Sequence, residues 1–176
     1  MGSEEHKLKA PKTVRFALVT CSSSRFEYLK HGKSFKDESG DLVEHMVKSA
    51  GFSVSYRTLI PDNYTMIRET VEELCTKPDV DIIVLSGGTG LSPKDVTIEA
   101  VKPMFEKEVP GFGEIFRMLT FQEEGSIAIL SRAVAGVYKG KIIFALPGSP
   151  KAVKLAFEHL IIPEASHMIL HVRGLG

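Results

Sequence analysis

Residues 80–90 read Val-Asp-Ile-Ile-Val-Leu-Ser-Gly-Gly-Thr-Gly, and this stretch decides the fold. Val80 to Leu85 is an apolar, β-branched run interrupted only by Asp81, a pattern typical of a central strand buried on both faces of a parallel sheet. Three glycines within 87–90 then predict a backbone with positive φ, or one that a ligand approaches closely. A buried strand that ends in such a turn indicates an α/β protein with a binding site beyond the carboxyl end of the strand.

Strand and helix patterns alternate on both sides of this stretch. Apolar runs predict strands at 14–20, 127–130 and 142–146, and an alternating pattern predicts an edge strand at 54–60. Helical spacing predicts helices at 41–50, 64–75, 96–106, 114–122 and 149–162, with a break at Gly111-Phe112-Gly113, whereas residues 25–38 lack clear periodicity. This alternation predicts a three-layer α-β-α fold with a mostly parallel central sheet.

Length and composition indicate one folded unit. The 176 residues, 43% of them apolar, suffice for a single core. We expect a flexible N-terminal tail at 1–12, a single domain at 13–170 and a C-terminal tail at 171–176. Twenty-two Lys and Arg residues balance 22 Asp and Glu residues, which argues against nucleic acid as a main partner.

Cysteine usage and hydropathy predict a cytoplasmic protein. Cys21 and Cys75 lack CxxC spacing, so we expect two ordinary reduced thiols. The first twelve residues are polar and lack the apolar stretch of a signal peptide. No later segment approaches 18 uninterrupted apolar residues, so no membrane partner is expected.

Three patterns of known binding sites are incomplete. Gly32-Lys33-Ser34 lacks the earlier glycine of a phosphate-binding P-loop. Gly88-Thr89-Gly90 begins like a dinucleotide fingerprint, but Pro93 occupies its third glycine position. His167 and His171 have the spacing of two zinc ligands on a helix without a third ligand nearby, which favours a solvated terminal helix.

The glycine-rich turn at 86–90 instead predicts a site for an oxyanion such as phosphate. Its backbone N–H groups and the start of the next helix would bind the anion. Asp62 and Asp95 each have two interpretations, as the N-cap of a helix or as a functional carboxylate. Two carboxylates beside a phosphate would repel it unless a divalent cation lay between them, so together they indicate Mg²⁺.

Five motifs follow one another along the chain. They are Leu85-Ser86-Gly87-Gly88-Thr89-Gly90, Asp95-Val96-Thr97 with Glu99-Ala100, Pro110-Gly111-Phe112-Gly113-Glu114, Leu130-Ser131-Arg132 and Leu146-Pro147-Gly148-Ser149. In this order they resemble the MoaB/Mog family of molybdenum-cofactor biosynthesis proteins, over residues 13–170. Phe116–Leu119 and Ser131–Gly136 resemble the MoaB branch in particular. Ile98 departs from the pattern, which usually has proline after Asp-Val-Thr.

The resemblance implies a domain that binds molybdopterin, a pterin with a dithiolene and a terminal phosphate. It implies adenylylation with Mg²⁺ and ATP, in which the molybdopterin phosphate attacks the α-phosphate of ATP and pyrophosphate leaves. The family's two functional aspartates correspond to Asp62 and Asp95, as catalytic residues and metal ligands. It also implies a homotrimer or hexamer in the molybdenum or tungsten pathway that hands its product to later enzymes.

The substrate-binding residues expected from these motifs are polar or belong to tight turns. They are Ser86, Gly87, Gly88, Thr89, Gly90, Ser131, Arg132, Pro147, Gly148, Ser149 and Lys151. Lys94, Arg132 and Lys151 are the candidate cations for phosphate, and each has the alternative of a solvated surface charge. Ser149 has the alternative of capping its helix, with Pro150 in the first turn.

Two further functions stay open beside the enzyme. One is a molybdopterin-binding or carrier protein without chemistry, and the other is a scaffold for later enzymes. Asp62 favours the enzyme, because an unpartnered carboxylate gives no advantage for binding an anion alone. Phe112 to Phe121 contains more apolar residues than one helical face buries, which indicates either a subunit interface or a fully buried helix.

Overall fold

The computed structural model describes residues 11–175, and six strands in this part of the chain form one sheet. The strands are β1 (Arg15–Cys21), β2 (Ser53–Ile60), β3 (Ile82–Ser86), β4 (Lys107–Glu108), β5 (Val134–Tyr138) and β6 (Lys141–Leu146). Their order across the sheet is β2-β1-β3-β6-β5-β4. Strands β2, β1, β3 and β6 are parallel neighbours. Strand β5 pairs antiparallel with β6, and β4 pairs antiparallel with β5. The predicted, mostly parallel sheet is confirmed, with β2 at its edge.

Helices cover both faces of this sheet. They are α1 (Ser23–Lys30), α2 (Glu38–Ser49), α3 (Tyr64–Thr76), α4 (Thr97–Val101), α5 (Pro110–Glu124), α6 (Pro150–Ala156) and α7 (Ile162–Val172). Short 3₁₀ segments, Lys102–Met104 and Gly125–Leu130, follow α4 and α5. A π-helical turn, Phe157–Ile161, joins α6 to α7.

Two apolar layers form the core, one on each face of the sheet. Side chains alternate along each strand, so neighbouring residues of β1, β3 and β6 belong to different layers. Phe16, Ile82 and Phe144 pack with α2, α5, α6 and α7. Ala17, Ile83 and Ile143 pack with α3 and α4 on the other face. The predicted α-β-α arrangement is therefore confirmed.

The start of α5 differs from the prediction. The sequence predicts a helix break at Gly111-Phe112-Gly113, but α5 begins at Pro110 and includes both glycines. Proline suits the first turn of a helix, where its missing N–H would have no partner in any case. A Cβ atom on Gly113 would lie 2.6 Å from the carbonyl oxygen of Ala133. This glycine therefore allows close contact between α5 and the chain leading into β5.

Residues 127–130, predicted as a strand, belong to the 3₁₀ segment Gly125–Leu130. Ile127 and Ile129 are 56% and 84% exposed, so this apolar run lies on the surface and not in the sheet. The prediction also missed β4, β5 and α1. In α1 no residue is buried, which explains the missing periodicity, since there is no core-facing stripe. The helix predicted at 96–106 ends at Val101 and continues as a 3₁₀ turn.

The predicted tails fall at the edges of the described residues. Positions 1–10 of the expected N-terminal tail, 1–12, lie outside them. The expected C-terminal tail, 171–176, begins inside α7, which carries His167 and His171 and ends at Val172. No helix within 11–175 combines the length and the apolar character needed to span a membrane.

Both cysteines have free thiols, as predicted, and both are buried. Burial raises the pKa of Cys21 to about 12 and that of Cys75 to about 11. Because the thiolate is the reactive form, neither side chain is a nucleophile at neutral pH.

Asp81 ties the first strand to the end of the last helix, and only 4% of it is exposed. Its Oδ2 accepts hydrogen bonds from the backbone N–H and the Nε–H of Arg15, both at 2.9 Å. Its Oδ1 accepts from Nη2 of Arg15 and, at 2.8 Å, from Nη2 of Arg173. Burial alone would raise the pKa of Asp81, but the hydrogen bonds and charge of Arg15, with help from Arg173, lower it below its usual range.

Candidate functional site

The candidate site lies beyond the carboxyl ends of the parallel strands β1, β2, β3 and β6. The loops that leave these strands are joined to each other by backbone hydrogen bonds. The N–H of Ser22 donates to the carbonyl of Ile60 at 2.9 Å, and the N–H of Gly87 donates to the carbonyl of Leu146 at 3.0 Å. This is the edge at which open α/β sheets bind ligands, as the sequence predicted.

The glycine loop, residues 86–90, depends on glycine at two consecutive positions. Gly87 has φ of 100° and Gly88 has φ of 61°, in the left-handed region that side chains disfavour. A Cβ atom on Gly87 would collide with the carbonyl oxygen of Cys21. Thr97, fully buried, holds the loop, because its Oγ1 donates to the carbonyl of Gly87 at 2.9 Å.

The loop amides are the main candidates for anion donors. Helix α4 has only five residues, and the N–H of Thr97 donates to the carbonyl of Gly88 at 3.0 Å. The first N–H of this helix is therefore already used, so the predicted contribution of the helix start does not include Thr97. Within the described chain, no backbone carbonyl accepts from the N–H groups of residues 88–90, so these donors are available to a ligand.

Asp62 is not the N-cap of α3, which was one interpretation of it. Asn63 caps that helix through a hydrogen bond from Met66 N–H. Oδ2 of Asp62 accepts hydrogen bonds from the N–H of Ser23 at 2.8 Å and from its Oγ–H at 2.9 Å. Oδ1 is buried without a hydrogen-bond partner in the described chain, and a Cβ on Gly88 would lie 2.5 Å from it. One carboxylate oxygen of Asp62 therefore lies against the glycine loop.

Asp95 is not a helix N-cap either. Position Val96 precedes α4 and makes no side-chain capping bond, while Oδ2 of Asp95 accepts from the N–H of Ser92 at 3.0 Å. A Cβ on Gly90 would lie 2.7 Å from that Oδ2. Asp62 and Asp95 thus flank the glycine loop, one beside Gly88 and the other beside Gly90.

The two carboxylates fit a cation that shares its ligands with a substrate. No group of three or more metal-ligating side chains occurs within residues 11–175. Mg²⁺ typically uses one or two carboxylates together with phosphate oxygens and water, which is the donor set that Asp62 and Asp95 leave to be completed. The unpartnered Oδ1 of Asp62 is a suitable ligand atom, because a cation would supply its missing electrostatic partner.

A cavity of about 400 Å³ extends from the glycine loop. The loop and Asp95 form its polar end, together with residues 147–149 from the turn after β6. Its other wall is apolar, formed by Phe116, Ile127, Leu130 and Leu155. Such a cavity suits a flat organic ligand with a charged group at one end.

Three buried side-chain polar atoms in the described chain have no hydrogen-bond partner. They are Oδ1 of Asp62, Oγ of Ser131 and Nε of Arg132. An unpaired buried polar group costs roughly 1–3 kcal/mol, so folded proteins keep few of them. All three belong to residues that the sequence marked for the site. Ser131 and Arg132 line the cavity, whereas Asp62 lies outside its lining and beside Gly88. The two unpaired donors at the cavity indicate that a ligand pairs with them there.

The candidate cations separate into one that lines the cavity and two that do not. Arg132 lines it, and its guanidinium makes two 2.8 Å hydrogen bonds to Glu99. Lys151 pairs with Glu123 and Glu124 on α5 and lies outside the cavity lining. Lys94 is exposed and also lies outside that lining.

Ser149 caps helix α6 and also lies at the cavity. Its Oγ accepts from the N–H of Ala152 at 3.2 Å and caps α6, as predicted, and the residue also lines the cavity. Gly148, next to it, packs closely on the glycine loop, since a Cβ there would lie 3.1 Å from Cα of Gly87.

The prediction missed two serines that support the loops. Ser23 bonds Asp62, and the buried Ser39 donates from Oγ to the carbonyl of Gly148 at 2.7 Å. Neither contact leaves a signal in the sequence, because the partners are 39 and 109 positions apart. The apolar residues of the cavity wall were missed for a similar reason, since they read as ordinary core positions.

The chain is similar to known proteins of molybdenum-cofactor biosynthesis. A family model described as a probable molybdopterin binding domain matches residues 17–167. A molybdenum cofactor biosynthesis protein B from Halalkalibacterium halodurans is 43% identical over 173 residues, covering 98% of each chain. A probable molybdopterin adenylyltransferase from Methanocaldococcus jannaschii is 45% identical over 165 residues, covering 94% of this chain and 98% of its own.

A solved structure shares the fold as well as the sequence. The crystal structure of the tungsten cofactor synthesizing protein MoaB from Pyrococcus furiosus superposes with a TM-score of 0.81 at 35% identity. The match covers 93% of this chain and 99% of that one. These matches extend over nearly the whole chain and include all four loops of the site. The chain therefore belongs to the MoaB/Mog family of molybdopterin-binding-domain proteins.

Proposed function

We propose that this protein adenylylates the terminal phosphate of molybdopterin with ATP and Mg²⁺, in the biosynthesis of a molybdenum or tungsten cofactor. The observation that carries the proposal is the glycine loop with a carboxylate on each side, Asp62 at Gly88 and Asp95 at Gly90. The name of the relative from M. jannaschii, a probable molybdopterin adenylyltransferase, supports the same reaction.

The reaction joins two anionic phosphates. The P–O bond between the molybdopterin phosphate and the α-phosphorus of ATP forms, the bond from that phosphorus to the β-phosphate oxygen breaks, and pyrophosphate leaves with its electron pair. Such a transfer needs positioning and charge neutralisation more than covalent catalysis. Mg²⁺, when bound, supplies positive charge for the phosphate oxygens.

The residues around the cavity divide these tasks. The N–H groups of residues 88–90 bind phosphate oxygens, and Asp62 and Asp95 hold the cation. Ser131 Oγ and Arg132 Nε, both unpartnered in the described chain, donate to the same phosphates. The apolar wall with Phe116 and Leu130 packs against the pterin and keeps water away from it.

One assay tests this function directly. Purified protein is mixed with ATP, MgCl₂ and molybdopterin, and the release of pyrophosphate is measured, with omission of each component as the control. We expect release only when all three are present. Binding of molybdopterin without any release of pyrophosphate would contradict the enzyme and favour a carrier of molybdopterin.

We also propose that the protein forms a homotrimer or homohexamer in the cytoplasm and passes its product to later enzymes of the pathway. An apolar patch supports self-association: Ile115, Met118 and Phe121 on α5, with Ile129 from the following 3₁₀ segment, are all exposed in the single chain. Contiguous exposed apolar residues of this kind mark interaction surfaces. The two buried free thiols agree with a reducing compartment.

A further inference from the structure

Ser23 makes three hydrogen bonds to a single residue of the site. Its N–H and its Oγ–H both donate to Oδ2 of Asp62, at 2.8 and 2.9 Å. Its Oγ also accepts from the backbone N–H of Asp62 at 3.0 Å. Ser23 therefore fixes both the backbone and one carboxylate oxygen of a residue that lies 39 positions away in the sequence.

The fold brings these two residues together at the ends of neighbouring strands. Cys21 of β1 pairs with Ile60 of β2, so the loops that leave the two strands begin side by side. Ser23 is the first residue of α1, and its N–H is one of those that a helix leaves without an internal acceptor. Oδ2 of Asp62 satisfies that donor.

This arrangement leaves the two oxygens of Asp62 in different situations. Oδ2 accepts two hydrogen bonds from Ser23, whereas Oδ1 is buried, unpartnered in the described chain and directed at Gly88. The two hydrogen bonds already use both lone pairs of Oδ2, so a cation that bound both oxygens would have to compete with Ser23 for Oδ2. The carboxylate therefore offers a ligand a single oxygen.

We propose that Ser23 is a positioning residue that makes Asp62 bind the divalent cation through Oδ1 alone and thereby favours Mg²⁺ over Ca²⁺. The inference rests on the proposed function, in which Asp62 holds a cation. Mg²⁺ is small and octahedral and binds carboxylates through single oxygens, whereas Ca²⁺ takes six to eight oxygens and readily uses both oxygens of one carboxylate.

Ser23→Ala tests this role, because it removes the hydroxyl and keeps the backbone N–H. Ser24→Ala is the matched control, since the neighbouring exposed hydroxyl lies 3.3 Å from Oγ of Ser22 and does not contact Asp62. Binding of Mn²⁺ alone is followed by electron paramagnetic resonance, and Mg²⁺ or Ca²⁺ is then added to displace it. No substrate is present, so the measurement does not depend on turnover.

We expect Ser23→Ala to weaken Mg²⁺ binding about five- to tenfold and Ca²⁺ binding less than about twofold, a loss in the range of one typical net hydrogen bond. Ser24→Ala and Ser23→Thr should both match the wild type. Equal affinities in Ser23→Ala and wild type, or an equal loss for both cations, would overturn the positioning role alone. Absence of Mn²⁺ binding by the wild type would overturn this inference, whereas the proposed function, in which substrate phosphates complete the ligand set, is tested separately by pyrophosphate release.

A second pair of variants covers the case in which Ser23→Ala does not fold. Thr and Val have the same shape and differ by the hydroxyl, so Ser23→Thr and Ser23→Val make the same comparison. The ratio of Mg²⁺ to Ca²⁺ affinity should fall in Ser23→Val only. An unchanged ratio in both would overturn the proposal.

Discussion

At the scale of single residues, Asp62 and Asp95 lie on different sides of the glycine loop, and only Asp95 lines the cavity, but both have the same expected task. Replacing either by Asn keeps the shape and removes the negative charge that a cation requires. We expect Asp62→Asn and Asp95→Asn each to lower adenylylation by about 100-fold or more while molybdopterin affinity changes less than about tenfold.

Pyrophosphate release and equilibrium binding of molybdopterin measure these two effects separately. Asp79→Asn is the control, because Asp79 lies before β3, at the opposite edge of the sheet, where it accepts a hydrogen bond from Tyr56. A variant at Asp62 or Asp95 with wild-type turnover would contradict the metal-holding role.

Gly88 permits a comparison that separates backbone strain from loss of the site. Gly88 and Gly51 both have positive φ, at 61° and 81°. A Cβ on Gly88 would lie 2.5 Å from Oδ1 of Asp62 and from Oγ1 of Thr97, whereas nothing lies within 4 Å of one on Gly51. Alanine at Gly51 should reduce stability by about 1–2 kcal/mol through backbone strain alone. Alanine at Gly88 should reduce it by more, because the two close contacts must also relax.

Only Gly88→Ala should also abolish binding of molybdopterin, because the added methyl group fills the space between the loop and Asp62. Chemical denaturation gives the stability of both variants, and fluorescence titration gives the affinity. Retained affinity in Gly88→Ala would mean that the loop is a structural turn and not a phosphate site.

At the scale of secondary structure elements, α5 has two faces with different roles. Phe116 is 1% exposed and lines the cavity, whereas Met118 and Phe121 are 51% and 61% exposed. The buried-helix interpretation of Phe112–Phe121 therefore describes the face that carries Phe116, which packs in the core of the single chain. A subunit interface stays a prediction, and it concerns only the exposed face.

The two faces should respond differently to a buried charge. Phe116→Asp should unfold the chain, since an unpaired carboxylate in the core costs several kcal/mol. Phe121→Asp should stay folded and yield monomers. Circular dichroism and light scattering on both variants measure folding and mass, and a folded Phe121→Asp variant of unchanged mass would contradict an interface on this face.

The elements that were predicted well are those whose pattern reflects burial on the sheet. Strands β1, β3 and β6 carry continuous apolar runs and α3 carries a clear apolar stripe, so periodicity identifies them. Ile127 and Ile129 have the same composition as a strand but lie on the surface of the single chain. Composition alone does not distinguish these two cases.

At the scale of the whole molecule, Asp81 forms ion pairs with Arg15 and Arg173 at the amino-terminal ends of the strands, on the side of the sheet away from the site. The pKa of Asp81 is lowered in the folded protein, so its contribution is complete above the pKa of the unfolded chain, roughly 3.9. The contribution is lost as the pH falls through the folded-state pKa. We expect Asp81→Asn to lower the free energy of unfolding by about 1–3 kcal/mol at pH 7 and by less near pH 3.

Urea denaturation at the two pH values measures this difference. Glu38→Gln, at an exposed carboxylate in the first turn of α2, is the control. A loss in Asp81→Asn of the same size at both pH values would contradict a charge-dependent contribution from Asp81.

Sequence reasoning identified the fold class, because buried strands and apolar helix stripes are local patterns. It also placed a predicted site in the loops after the strands, and the structure brings both predicted aspartates beside the glycine loop there. The choice of these two carboxylates depended on the family resemblance, since spacing alone left helix capping open. The parts it missed depend on contacts between distant segments, such as Ser23 with Asp62 and Ser39 with Gly148. The N-cap interpretation of Asp62 shows the same limit, since this side chain accepts from Ser23 at the start of a helix that is 39 positions away and not from the helix that follows it.

The three unpartnered atoms of the site make thermal stability a measure of occupancy. Oδ1 of Asp62, Oγ of Ser131 and Nε of Arg132 have no hydrogen-bond partner in the described chain, so a ligand that pairs with them would stabilise the folded protein. A ligand that binds only the folded chain raises stability by RT ln(1 + [L]/Kd), about 2.7 kcal/mol at a hundredfold excess over Kd. The melting temperature in a cell extract should therefore rise with the supply of molybdopterin, so that the protein is most resistant to proteolysis when its pathway is active.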